Sequence, residues 1–186
     1  GADYAGAMAV IEAAQGEIGD ETLEALLERG YEYYQSFEPV PLVGLEAFYC
    51  DEDLRQNKDD VTDNLGDTYS GHFYFTNDGF WVKDEYTGSA TFKVLDYDRL
   101  SCRLILTREA KNTENGGVLR LYLDGSPAYE SVAIQRGSDP VDIELDLSAA
   151  AELRIEMEYH TNRSIQLVNG FVSKSAEGAE AFNERA

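Results

Sequence analysis

His72 and His160 are the only imidazoles in the chain. A nucleophilic triad needs a histidine base beside Ser or Cys, and neither histidine lies in a G-x-S-x-G motif. Two separated histidines do not make a zinc site, and Cys50 and Cys102 show no C-x-x-C spacing. Gly116-Gly117 follows a polar loop and enters a strand pattern, so it is a turn and not a phosphate cradle. Carboxylates are abundant, but a glycosidase needs two of them placed on either side of one bond; a solvated acidic face is the simpler reading. These residues point to binding and away from catalysis.

The acidic stretch CDEDLRQNKDDVTDNLGD, residues 50–67, has a different chemistry to offer. Calcium takes six to eight oxygen ligands. Asp63, Asn64 and Asp67 supply them at close spacing, although the order is not that of an EF-hand loop. The stretch is a candidate site for a structural calcium, read as a long polar connection.

Aromatic side chains grip sugars because one face of a pyranose is apolar and stacks on a ring. Tyr69, Trp81 and Tyr86 lie within one stretch, with His72 among them. Trp81, between Phe80 and Val82, reads first as a core residue. Tyr69 and Tyr86 sit in polar, glycine-flanked surroundings and are expected on a loop platform. Tyr69, His72, Trp81 and Tyr86 are the expected ligand-binding residues.

Composition narrows the partners. There are 36 Asp and Glu against 15 Lys and Arg, a formal net charge of -21. Phosphate backbones and anionic membranes repel such a chain, which argues against nucleic acid. No apolar run reaches the length of a membrane span. Hydrophobic residues make up 43 %, enough for a packed core. Cys102 falls on a strand pattern with Leu100, Leu104 and Leu106 and reads as a small core residue; a bridge from it to Cys50 is left open.

Two kinds of element must position these residues. Residues 3–36 have helical character: Asp20 suits an N-cap, and Leu23, Leu26 and Leu27 follow at helical spacing until Pro39 and Pro41 end the run. From residue 72 onward the pattern is strand. In PVDIELDLS, Val141, Ile143, Leu145 and Leu147 alternate with Asp142, Glu144 and Asp146. In LRIEME, Leu153, Ile155 and Met157 do the same. Asp124-Gly125 between two short runs supplies the positive φ values of a two-residue hairpin turn. Short half-apolar strands without intervening helices predict an antiparallel β-sandwich.

The order of the pieces is more specific than any one of them. TDNLGDTYSG at 62–71 is followed by ATFKVLDYDRLSCRLIL at 90–106, VLRLYLDGSPAYES at 118–131 and GSDPVDIELDLSAAAELRIEM at 137–157. This order resembles the NPCBM family, related to carbohydrate-binding module family 51. The resemblance rests on Asp63, Asn64, Gly66, Tyr69 and Ser70 at the entry, Tyr97 and Leu100 at the next step, and Tyr122, Asp124 and Gly125 in the hairpin. Pro140, Asp146, Leu147 and Ser148 match the later strand.

The resemblance spans about residues 42–173. It implies a jelly-roll-like β-sandwich on a secreted or surface protein of a bacterium, binding a carbohydrate of galactose type. The expected organisation is a helical segment at 1–40, the β-sandwich at 41–174 and a tail at 175–186, with a signal or anchor expected upstream of Gly1. The alternative is a structural or protein-interaction sandwich without sugar binding, whose helical hairpin docks a partner.

Overall fold

The computed structural model describes residues 39–51, 53–76, 86–159 and 163–174, together with Ala13 and Ala25, both exposed. The expected helical hairpin therefore lies outside the described residues but for those two positions, and so do Trp81, His160 and the tail from residue 175. Val40–Val172 form one compact unit; Gly1–Pro39 with Ser173–Ala186 form another. Among the described residues no helix is long and apolar enough to cross a membrane.

The Val40–Val172 unit is built of strands. They are β1 (Val40–Pro41), β2 (Ala47–Cys50), β3 (Asp53–Thr62), β4 (Thr68–Thr76), β5 (Tyr86–Lys93) and β6 (Arg99–Leu106). β7 (Gly117–Leu123), β8 (Ser126–Glu130), β9 (Val141–Asp146), β10 (Glu152–Tyr159) and β11 (Ile165–Ser173) complete the set. One sheet runs β3-β4-β11-β6-β9, with β1 also paired to β11; the other runs β2-β5-β10-β7-β8. The pairings are antiparallel. The expected sandwich is present, with its apolar core between the sheets.

Alternation explains how the core forms, because successive side chains of a strand face opposite ways. Leu153, Ile155 and Met157 of β10 lie opposite Leu123, Leu121 and Leu119 of β7 on one side and Phe92, Ala90 and Gly88 of β5 on the other. Leu100, Cys102, Leu104 and Leu106 of β6 bury the facing side. Each large apolar side chain withdrawn from water contributes roughly 1.5–3 kcal/mol. Phe73 meets Phe92 across the gap at 5.9 Å between ring centres. The β7–β8 turn has Asp124 at φ 48° and Gly125 at φ 79°, the left-handed pair the hairpin requires. The Asp124 carboxylate also accepts the amides of Ala151 and Glu152.

One element differs from expectation. The polar stretch read as a connection holds the ten-residue strand β3. Leu54 packs against the core, but the next residue on its face is Gln56. The Gln56 amide donates to the carbonyls of Leu42 and Leu45, at 2.9 and 2.7 Å, and so satisfies a 3-10 turn at Leu42–Gly44. A polar side chain with backbone partners thus takes a position where a hydrophobe would have signalled a strand. β3 lies at the sheet edge, where charges such as Lys58, Asp59 and Asp60 discourage pairing with another chain.

Cys50 and Cys102 do not pair with each other. Cys50 is exposed, whereas Cys102 is buried. Burial, together with the nearby Glu144 and Asp142 charges, pushes the Cys102 thiol up to about 12.

Candidate functional site

The site lies on the solvent side of the first sheet and begins with a bulge. Arg55 pairs with Tyr74 and Asn57 with His72, but beyond them Asp60 pairs with Ser70, so β3 carries one extra residue at this point. Gly71 opposes the bulge at φ 79°, in the left-handed region that favours glycine. The interruption resets the alternation of β4. Phe73 and Phe75 turn into the core, while His72 and Tyr74 share the outer face with Asn57.

The bulge also supplies a partner for His72. The Asp59 carbonyl lies 3.2 Å from His72 Nδ1. A carbonyl oxygen only accepts, so Nδ1 carries the proton. Nε2 then holds the lone pair and accepts from Asn57 Nδ2 at 3.2 Å. Burial holds the His72 pKa below its ordinary 6.5, against the opposing influence of the Asp59 carbonyl and charge. The ring is neutral, 7 % exposed, and stacked on Tyr74 with 5.4 Å between ring centres. Asn57 Nδ2 also reaches Tyr74 Oη at 3.4 Å.

These side chains line a cavity of about 650 Å3. The turn after β6, including Arg108 and Lys111, lines it too, as do Arg163 and Gln166 at the start of β11, the strand beside β4. Thr107 ties the turn after β6 to the segment that leads into β11. Its amide donates to the Ser164 carbonyl at 2.9 Å and its hydroxyl to the Arg163 carbonyl at 3.2 Å. The Arg163 guanidinium lies over the Tyr74 ring, 5.5 Å from its centre. Gln166 donates to the Arg163 carbonyl at 3.4 Å, while its Oε1 is buried without a hydrogen-bond partner among the described residues.

The expected site residues separate. His72 lines the cavity. Tyr69 is no loop platform: it is 7 % exposed, packed with Ile105 and Val168, and its hydroxyl donates to Asp63 Oδ2 at 3.0 Å. Tyr86 belongs to the other sheet and stacks on Tyr159, 5.5 Å between ring centres. Asn57, Tyr74, Gln166 and Arg163 belong to the cavity and were not expected there. Only the pairing of β3 with β4 brings Asn57 to His72, and that strand carries little apolar signal.

The expected calcium ligands form a brace beside the cavity. Asp63 Oδ1 accepts the amides of Leu65, Gly66 and Asp67 at 2.9, 2.8 and 3.0 Å, and Oδ2 takes the Tyr69 hydroxyl. Both oxygens of this buried carboxylate are thereby engaged by the protein itself. Asn64 Nδ2 donates to the Ser138 carbonyl at 3.1 Å. The Asp63 backbone bridges to Thr107, so the brace also holds the residue that joins the β6 turn to the segment before β11. No cluster of three or more His, Cys, Asp or Glu suited to a metal ion occurs among the described residues.

Comparison with known proteins places this sandwich. No family model matches, and no curated protein matches. Among solved structures, the CBM51 module of a GH95 protein from Clostridium perfringens, in complex with methyl-galactose, aligns with a TM-score of 0.55 and 10 % identity. The alignment covers 73 % of this chain and 99 % of that one. The chain has the fold of the CBM51 modules.

Two further CBM51 structures extend the likeness, both from ZmpB of Clostridium perfringens. One contains CBM51-2 in complex with GlcNAc together with INT domains, at TM-score 0.59 and 10 % identity, covering 75 % of this chain. The other joins the M60 catalytic domain to two CBM51 modules, at TM-score 0.58 and 9 % identity, covering 74 %. The chain spans about 32 % and 15 % of those two longer proteins.

Proposed function

We propose that this sandwich is a non-catalytic carbohydrate-binding module, and that its ligand sits in the cavity over β3, β4 and β11. The observation that carries the reading is the joined array of Asn57, His72 and Tyr74, with Gln166 Oε1 unpartnered on the neighbouring strand. The volume of about 650 Å3 falls within the range of small-molecule sites. Sugar hydroxyls both donate and accept, so they suit a cavity with amides, a phenol and a buried acceptor.

His72 supports binding over catalysis. Its Nδ1 proton is given to a carbonyl, and its Nε2 lone pair is occupied by Asn57. No lone pair remains to take a proton from a nucleophile. A galactose-type ligand is supported by the methyl-galactose complex of a module with this fold. The bacterial source of such modules supports a place on a secreted or surface protein of a bacterium.

Calorimetric titration with methyl-galactoside and with GlcNAc tests the reading. Binding is expected with at least one of them, and replacement of Tyr74 by Ala should weaken it about tenfold or more. Absence of binding at millimolar sugar would remove the proposal.

A second reading has its own support. β2 is an edge strand on which Phe48 and Tyr49 are 49 % and 57 % exposed, a surface suited to a protein partner. A negative sugar titration with a protein partner captured through β2, and lost on replacing Phe48 and Tyr49 by Ser, selects that reading.

A further inference from the structure

Arg163 stands out through its backbone. It has φ 61°, in the left-handed region where a Cβ is disfavoured and Gly, Asn or Asp are the usual occupants. The conformation is held from both sides: the Arg163 carbonyl accepts from Thr107 Oγ1 and Gln166 Nε2. A turn that needed only this shape would favour glycine. An arginine here carries a conformational cost for which its side chain must compensate.

The side chain forms no salt bridge with a described residue. On the sheet faces, Arg99 meets Glu144, Arg103 meets Asp142, Arg120 meets Glu130, and Arg154 meets Glu156. Arg163, Arg108 and Lys111 meet no carboxylate among the described residues, and all three line the same cavity. Asp59, Asp60 and Glu109 line it too, so its charge is balanced, three against three, in a chain whose total is -21. Asp60 is already engaged, accepting the Ser70 hydroxyl at 2.7 Å.

We propose that the ligand of this cavity is a sugar bearing an acidic group, a carboxylate or a sulfate ester, and that the Arg163 guanidinium holds that group. Guanidinium is the side chain best matched to such groups, because its planar donors pair with two oxygens at once. Tyr74 beneath it holds the guanidinium at the cavity by cation–π contact. Gln166 Oε1 accepts a hydroxyl of the same sugar. The inference rests on the carbohydrate reading above and adds the class of sugar.

The test is a set of calorimetric titrations of the whole chain with methyl-galactoside, galacturonic acid and galactose 6-sulfate, at low and at physiological salt. At least one acidic sugar should bind about tenfold or more tightly than the neutral one, with the advantage shrinking as salt rises. The uronate and the sulfate arms distinguish the two acidic groups. Arg163→Gly should abolish the advantage, so that acidic and neutral sugars bind the variant alike. Because glycine adopts the left-handed φ freely, this variant should melt at the same or a higher temperature, so lost binding cannot be ascribed to misfolding. If acidic and neutral sugars bind alike, or the preference survives Arg163→Gly, the acidic-ligand inference falls and the carbohydrate reading stands. If no sugar of either class binds, both fall.

Discussion

His72 and Asn57 face each other across the β3–β4 ladder, with Asn57 Nδ2 3.2 Å from His72 Nε2. The contact fixes the charge state of the ring, because an amide N–H offers a proton to a lone pair that only neutral imidazole has. A carboxylate in place of the amide inverts this. Asn57→Asp should raise the His72 pKa above 6.5, because the anion favours imidazolium. Asn57→Ala should leave it below 6.5, since burial lowers it with or without the amide. Titration of the two histidines by NMR, assigned with a His160→Gln variant, reads the result. A His72 pKa unmoved by Asn57→Asp would show that the pairing is absent in solution.

Asp63 should matter for stability and not for metal. Its carboxylate accepts three amides and one phenol while buried. Asp63→Ala leaves those donors unsatisfied and should cost about 2–4 kcal/mol in chemical denaturation. Asp63→Asn retains one oxygen acceptor and should cost less. Calcium or a chelator should leave the melting temperature unchanged, since both oxygens of the Asp63 carboxylate are engaged by the protein. A rise of several degrees with calcium would support the metal reading suggested by the spacing of Asp63, Asn64 and Asp67.

The sandwich was legible wherever one face of a strand is apolar and the other wet. β9 shows this directly: Ile143 and, just past the strand, Leu147 are buried, while Asp142, Glu144 and Asp146 are exposed. β3 was not legible, because Gln56 takes an inward position and a bulge breaks the period before Asp60. With β3 hidden, Asn57 had no partner to be read against. Arg163 and Gln166 reach the cavity from about ninety positions away in the chain, through a pairing that no local pattern encodes. Asp63 and Tyr69 were legible as special residues, but their bond to each other, and not to a ligand, is the reason.

The two thiols should differ in reactivity. Cys50 is exposed on an edge strand, whereas Cys102 faces the core with its thiol pushed up to about 12. Thiolate is the reactive species, so Cys102 is shielded twice, by access and by protonation. A disulfide reagent at neutral pH should label one thiol in the native protein and a second only after unfolding. Two equally fast thiols would contradict the packing of β6.

Gly88 should resist substitution. It lies opposite Met157 in the ladder, and a Cβ there would sit 2.4 Å from Phe75 Cγ of the facing sheet. The missing side chain makes the space that Phe75 fills, and Phe73, which meets Phe75 edge-on and is itself backed by Phe92, leaves that ring little room to retreat. Gly88→Ala should therefore cost about 1–3 kcal/mol by overpacking. The double variant Gly88→Ala with Phe75→Leu should recover part of the loss. Denaturation of the two variants and the parent measures both effects, and a neutral Gly88→Ala would mean that the sheets stand further apart than described.

Acid should weaken the fold through His72, and the sign follows from its lowered pKa. Above pH 6.5 the ring is neutral in both the folded and the unfolded chain, so this group adds no pH dependence there. Below 6.5 the unfolded chain takes up a proton that the folded chain excludes until its own, lower pKa is reached. Stability then falls with pH across that window, because the unfolded state binds more protons. His72→Asn removes the titrating group and should flatten this part of the profile, while the response of the carboxylates at lower pH remains. Asn57→Asp should reverse the slope: with the folded pKa above the unfolded one, the ring stabilises most at low pH and the contribution disappears as pH rises through the folded pKa. Melting temperatures of the parent and the two variants between pH 5 and 8 separate the three profiles, and a parent whose profile matched that of His72→Asn would show that the ring is solvated rather than buried.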